Sequence, residues 1–146
     1  MERQIPKYID FHTHTTYSDG VSSPETLVKT ARFLGLDAIA VTDHDMIAGI
    51  PEAMEAGKKW DIQVIPGIEV STDKYHILGL GIDYTSKEFQ DFVKESAQEQ
   101  EKVCKARVDV LRSKGIPINF EKVRQYFPES RLYLFQMQKS YAVRVK

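Results

Sequence analysis

Two histidines, His12 and His14, end a short apolar run in Asp10-Phe11-His12-Thr13-His14, with Asp19-Gly20 close behind. Side chains on an extended strand alternate between faces, so residues two apart point the same way. The pair can therefore grip one metal ion. This constrains the fold, because a strand must end where further ligands can reach the same point. The chain holds only four histidines, and the others are His44 and His76. Each lies in a motif rich in Asp, Glu or Gly, at or near the end of a strand-like run.

The intervening chain alternates between strand and helix patterns. Tyr8 to Phe11 reads as a first strand and Thr15 to Ser22 as a polar loop with Gly20. Ser23-Pro24 starts a helix, with Ser as N-cap and Pro at the first helical position. Leu27, Val28, Ala31 and Leu34 follow helical spacing, and Gly35 closes the helix. Asp37 to Thr42 reads as a buried second strand running into Asp43-His44-Asp45. Ile50 to Trp60 reads as a helix weakened by Gly57, and Ile62 to Ile65 as a third strand. This alternation implies a parallel α/β arrangement. In such folds functional groups gather beyond the carboxyl ends of the strands, where His12, His14, Asp43 and His44 fall.

Gly67-Ile-Glu-Val-Ser71 and Tyr75-His-Ile-Leu-Gly79 flank Thr72-Asp73-Lys74. A hairpin centred between Thr72 and Asp73 sets Glu69 opposite His76, so both could bind one ion. From Ser86 onward, Phe89, Phe92, Val93, Ala97, Val103, Ala106, Val110 and Leu111 give helical spacing up to Gly115. One or two long helices are expected, and if there are two, Ser96 or a neighbour is read as the break. Asn119 is read as the cap of a short helix, Phe120 to Tyr126, that stops at Pro128. The expected organisation is a metal-site-bearing βα portion over 1–85, a helical portion over 86–130, and a tail over 131–146.

Imidazole and carboxylate donors suit zinc, manganese or iron, and the cluster contains no cysteine of the kind a structural zinc finger uses. Asp19 and Glu69 are candidate ligands, with Glu69 placed to bridge two ions. Asp10 can orient a ligand or join the metal shell itself. Asp43 and Asp45 flank His44 and are expected to point apart, and a helix- or turn-capping role stays open for either.

Composition narrows the classes. Among the 146 residues no apolar run spans a membrane, and the first ten residues lack the apolar core of a secretory signal. The single cysteine, Cys104, excludes an internal disulfide, and a cytoplasmic location is expected. Residues 1–85 carry 13 acids and 7 bases, whereas residues 86–146 carry 8 acids and 13 bases. The acidic part suits cations, and the basic part can attract an anionic substrate. No basic run interleaved with aromatics argues for nucleic-acid binding. No Ser or Cys stands in a recognisable nucleophile frame.

Asp10-Phe-His-Thr-His14, Tyr17-Ser-Asp-Gly20, Val41-Thr-Asp-His-Asp45, Gly67-Ile-Glu-Val-Ser71 and His76-Ile-Leu-Gly79 agree in order and spacing with the PHP (polymerase and histidinol phosphatase) superfamily. The chain resembles that superfamily over about residues 7–83. The resemblance implies an α/β fold: part of a distorted (β/α)7 barrel, with a helical insert after residue 85. It implies one to three divalent ions, Zn, Mn or Fe. His12, His14 and Glu69 would serve one ion, Asp19 and His44 a second, and Glu69 and His76 a third. Asp10 and Asp43 would stand behind them as supports. The implied activity is hydrolysis of a small phosphomonoester or nucleotide by a metal-bound hydroxide. The alternatives are a metal-binding module with weak catalysis and, ranked lowest, a polymerase-type exonuclease. Members of the superfamily supply later histidines, and this chain has none after His76. The expectation is therefore an N-terminal portion of the domain, read as a truncated chain, a remnant that binds metal without turnover or, favoured, a homo-oligomer completing the barrel.

Overall fold

A computed structural model describes residues 7–72 and 74–126. The expected tail over 131–146, and the stop at Pro128, lie outside the described residues. The elements in chain order are β1 (Ile9–Thr13), α1 (Pro24–Phe33), β2 (Ala38–Val41), α2 (Ile50–Trp60), β3 (Gln63–Ser71), β4 (His76–Leu80), α3 (Lys87–Ser113) and α4 (Phe120–Tyr126). The fold is α/β with a curled half-barrel sheet in the order β1-β2-β3-β4. β1, β2 and the first half of β3 run parallel, while β4 returns antiparallel along the second half of β3.

Local chemistry explains the element ends. The Ser23 hydroxyl accepts from the Thr26 N–H at 3.2 Å, satisfying one of the free amides at the start of α1. Gly35, at φ 82°, ends α1 in a left-handed conformation that costs glycine little. α2 takes the bounds the sequence suggests. Gly57 is less a flaw in it than a packing requirement: a Cβ there would lie 2.8 Å from Val64 Cγ2 and 2.9 Å from the Ile62 carbonyl.

β2 is buried along its whole length, as a central parallel strand covered on both faces should be. Ile39 and Val41 join Val28 and Ala31 of α1, Ala53 and Ala56 of α2, and Ile62 and Val64 in one apolar cluster. Burying a side chain of that size contributes about 1.5–3 kcal/mol. This cluster fixes the strand ends from which the functional side chains project. A second, smaller cluster of Cys104, Val108 and Val123 joins α3 to α4. Cys104 is therefore a packing residue there.

Three expectations need correction. The third strand and the Gly67–Ser71 arm are one nine-residue strand, β3. Pro66 is tolerated because β3 changes partners there: its carbonyl accepts from Gly81 and Ile82 N–H, and no ladder donor is needed from it. The hairpin pairs Ser71 with His76 and Glu69 with Leu78, two residues away from the expected register. A shift of two preserves the faces, so Glu69 and His76 remain diagonal neighbours on one side. Finally, α3 is a single 27-residue helix without a break at Ser96.

Candidate metal centre

His12 lies on β1 and His14 just past it, with ring centroids 4.9 Å apart, as their same-face spacing requires. β1 shifts register between Asp10 and Thr13, which lets the strand end turn towards its neighbour. His44 follows β2, where an isolated parallel bridge ties it to Glu69 on β3. His76 opens β4. Asp19 arrives from the β1–α1 loop. That loop folds back sharply, with the Gly20 N–H donating to the Thr15 carbonyl at 2.9 Å. A Cβ on Gly20 would overlap the His14 carbonyl, so no larger residue fits this turn unaltered.

Glu69 is the centre of the arrangement and only 4% exposed. His12 Nε2 and His14 Nε2 lie 2.8 and 3.1 Å from its Oε2, and His44 Nδ1 lies 3.4 Å from the same oxygen. His76 Nδ1 lies 2.8 Å from Oε1. Asp19 completes the ring, 3.2 Å from His14 Nδ1 and 3.7 Å from His44 Nε2. Three overlapping triads result: His12, His14, Glu69; His14, Asp19, His44; and His44, Glu69, His76. Within each triad the donor atoms lie within 4.8 Å of one another. Ligand bonds of about 2.0–2.1 Å place neighbouring donors roughly 3.0–3.4 Å apart around one ion. The donor set thus suits a divalent cation in its chemistry, and its histidine–carboxylate pairs at 2.8–3.7 Å lie near that spacing.

Electrostatics point the same way. Burial alone would raise the Glu69 pKa, but hydrogen bonds from His12 and His76 and the charge of His44 outweigh it, holding the carboxyl below the usual range. Burial pushes the His44 pKa down, against the opposing pull of Glu69. A neutral imidazole beside an ionised carboxylate is the protonation state that binds metal.

All six candidate ligands therefore meet at one place. Asp43 stands behind them. At 1% exposure it accepts from the Thr15 N–H at 2.7 Å, the Thr15 hydroxyl at 2.7 Å and the Ser18 hydroxyl at 2.6 Å. Ser18 Oγ in turn lies 3.3 Å from Asp19 Oδ1 and 3.4 Å from His14 Nδ1. Asp43 thus fastens the loop that carries Asp19. Asp10 is exposed and accepts from the His12 N–H at 3.0 Å, so it steadies the strand rather than a ring. Neither Asp43 nor Asp45 caps α2, whose N-cap is Gly49. Thr15 and Ser18 are functional supports that sequence reasoning missed. Ser18 lies inside the Tyr17–Gly20 motif, but nothing in its spacing announced a buried acceptor 25 residues away.

These features define a class: an α/β protein whose strand ends gather histidines and acids around a shared carboxylate. A family profile for the PHP domain matches residues 10–140, and the chain belongs to that family. The chain is 40% identical over 117 residues to a 5'-3' exoribonuclease of Haemophilus influenzae, covering 77% of this chain and 43% of the relative. It is 41% identical over 80 residues to the phosphoribosyl 1,2-cyclic phosphate 1,2-diphosphodiesterase of Eggerthella lenta, covering 51% of this chain and 30% of the relative. Among solved structures, a protein from Bifidobacterium adolescentis assigned as a metal-dependent phosphoesterase superposes with a TM-score of 0.69 at 29% identity. That match covers 92% of this chain and 44% of the other. The chain thus spans less than half the length of these relatives. Among the described residues no helix is long and apolar enough to cross a membrane.

Proposed function

We propose that this chain supplies the divalent-metal pocket of a PHP-type phosphoester hydrolase. The observation that carries the reading is the sharing of Glu69 between two of the three donor triads. In this reading His12, His14 and Glu69 hold one ion, Asp19 and His44 a second, and Glu69 and His76 a third. Zn, Mn or Fe, one to three per chain, suits these nitrogen and oxygen donors. Divalent cations bound there supply Lewis-acid neutralisation of phosphoryl charge and acidify water. The protein's part is to keep the buried His44 imidazole neutral, keep Glu69 ionised, and hold the loop of Asp19 through Asp43.

The substrate class is a small phosphomonoester or nucleotide. A second reading, cleavage at the end of an RNA strand, is favoured by the activity named for the Haemophilus relative. The exposed apolar residues Tyr75, Ile77, Leu78 and Leu80 at the β4 edge, with Tyr8 and Phe11 at β1, support a second copy of the chain completing the barrel.

The deciding assay is hydrolysis of a generic aryl phosphate and of 5'-phosphorylated oligoribonucleotides after manganese loading. Turnover that disappears with chelator and with His14→Ala supports the hydrolase. Metal uptake without turnover on any phosphoester would instead leave a binding module.

A further inference from the structure

Asp45 sits outside the three triads, between the strand end that carries Glu69 and helix α3. It is 6% exposed and adopts a left-handed backbone, φ 49°. Its N–H donates to the Glu69 carbonyl at 2.9 Å, one residue beyond the His44–Glu69 bridge. Its Oδ1 accepts from the Ser71 N–H at 2.9 Å. Its backbone and one carboxylate oxygen therefore clamp the strand end that presents Glu69 while following directly on His44. The other side of the carboxylate faces α3. Gln100 Nε2 donates to Oδ2 at 2.9 Å, and Ser96 Oγ lies 3.5 Å from Oδ1. Ser96 and Gln100 are four residues apart and share one face of the helix. Among the described residues, Asp45 forms no ion pair with Lys or Arg, so this buried carboxylate relies on neutral donors from two separate parts of the chain.

A charged acceptor in a buried setting makes each such bond stronger than an ordinary one and costly to lose. We propose that Asp45 is a positioning residue through which the seating of α3 and the filling of the metal pocket reinforce each other. The inference rests on the metal-binding reading above. The coupling is thermodynamic and reciprocal: if docked α3 holds Asp45, and Asp45 holds Glu69 and His44 in their binding positions, then metal binding must in turn hold α3. Helix α3 would thus be seated most firmly when the pocket is charged with cations.

The test uses the full chain stripped of metal, titrated with Mn2+ by calorimetry, with hydrogen exchange of residues 93–104 followed in parallel. Gln100→Leu, which keeps helix propensity and removes the donor, should weaken Mn2+ binding about tenfold, the scale seen for partners that orient metal ligands. Ser96→Ala should weaken it about two- to threefold. Gln100→Lys, which restores a donor, should stay within about threefold of wild type. Mn2+ should slow exchange in α3 of the wild type, and the slowing should shrink in Gln100→Leu. A Gln100→Leu chain that binds Mn2+ as tightly as wild type, or α3 exchange indifferent to Mn2+, overturns this proposal and leaves the metal centre standing. Failure of the wild type to take up Mn2+ overturns both.

Discussion

Asp43 offers a sharp test of how the pocket is held. Its carboxylate accepts three hydrogen bonds at 2.6–2.7 Å from Thr15 and Ser18, both fully buried, so water cannot replace it as acceptor. Asp43→Ala leaves the Thr15 N–H and hydroxyl without this acceptor and Ser18 Oγ with only the longer 3.3 Å approach to Asp19 Oδ1, each loss worth about 1–3 kcal/mol and not additive. We expect a loss of ~3–5 kcal/mol. Asp43→Asn differs. The retained carbonyl oxygen can serve the Thr15 N–H and Ser18 hydroxyl, while the Thr15 hydroxyl turns to accept from the new NH2. Its cost should be about 1–2 kcal/mol. Urea denaturation in chelator measures both, since metal-linked stability is then removed from the comparison. In a thermal scan, roughly 3–4 °C per kcal/mol predicts a fall of ~9–20 °C for the Ala variant. Equal, small effects for the two variants would refute the network.

Other perturbations probe separate links. The His44 imidazole, depressed by burial, should titrate below 6.5 in the metal-free protein, and an NMR midpoint above 6.5 would contradict its environment. The sign follows: the unfolded chain protonates this group first, so its contribution to stability is full above 6.5 and is lost as pH falls towards the folded value. Gly67→Ala places a Cβ 2.8 Å from Thr42 Cγ2 and 2.9 Å from the Gly79 carbonyl, so the strand bearing Glu69 must shift, and denaturation should report ~1–3 kcal/mol lost. Ser23→Ala removes the cap of α1 and should cost about 1 kcal/mol by the same measurement, with the metal pocket unaffected.

Much of this was legible in the residues because it is local. The Ser23-Pro24 start and Gly35 stop of α1, and the Ile50–Trp60 span of α2, follow from capping chemistry and apolar period alone. The convergence of His12, His14, His44, Glu69 and His76 follows from placing them at or near strand ends, and Asp19 joins them from the loop after β1. The hairpin register did not follow, because the turn is closed by Thr72: its hydroxyl donates to the Tyr75 carbonyl at 2.6 Å and accepts the Tyr75 N–H at 3.1 Å, moving the closing pair outward. Parity protected the site, since a two-residue shift leaves Glu69 and His76 on one face. Ser96 misled for a related reason. Its hydroxyl looks like a local helix breaker, yet in the fold it faces Asp45, and tertiary contact outweighs a weak local preference. The Asp43 and Asp45 networks join residues 25 to 55 positions apart, and no sequence period encodes such pairings.

Metal stoichiometry after dialysis against Mn2+ or Zn2+, measured for the wild type and for Glu69→Ala, tests the shared-carboxylate pocket most directly. The wild type should retain at least one ion per chain, and Glu69→Ala should retain far less, because Glu69 contributes to two of the three donor triads. A wild type holding less than one ion per chain, or a Glu69→Ala chain holding as much as the wild type, would contradict the convergence of these side chains on a common cation site.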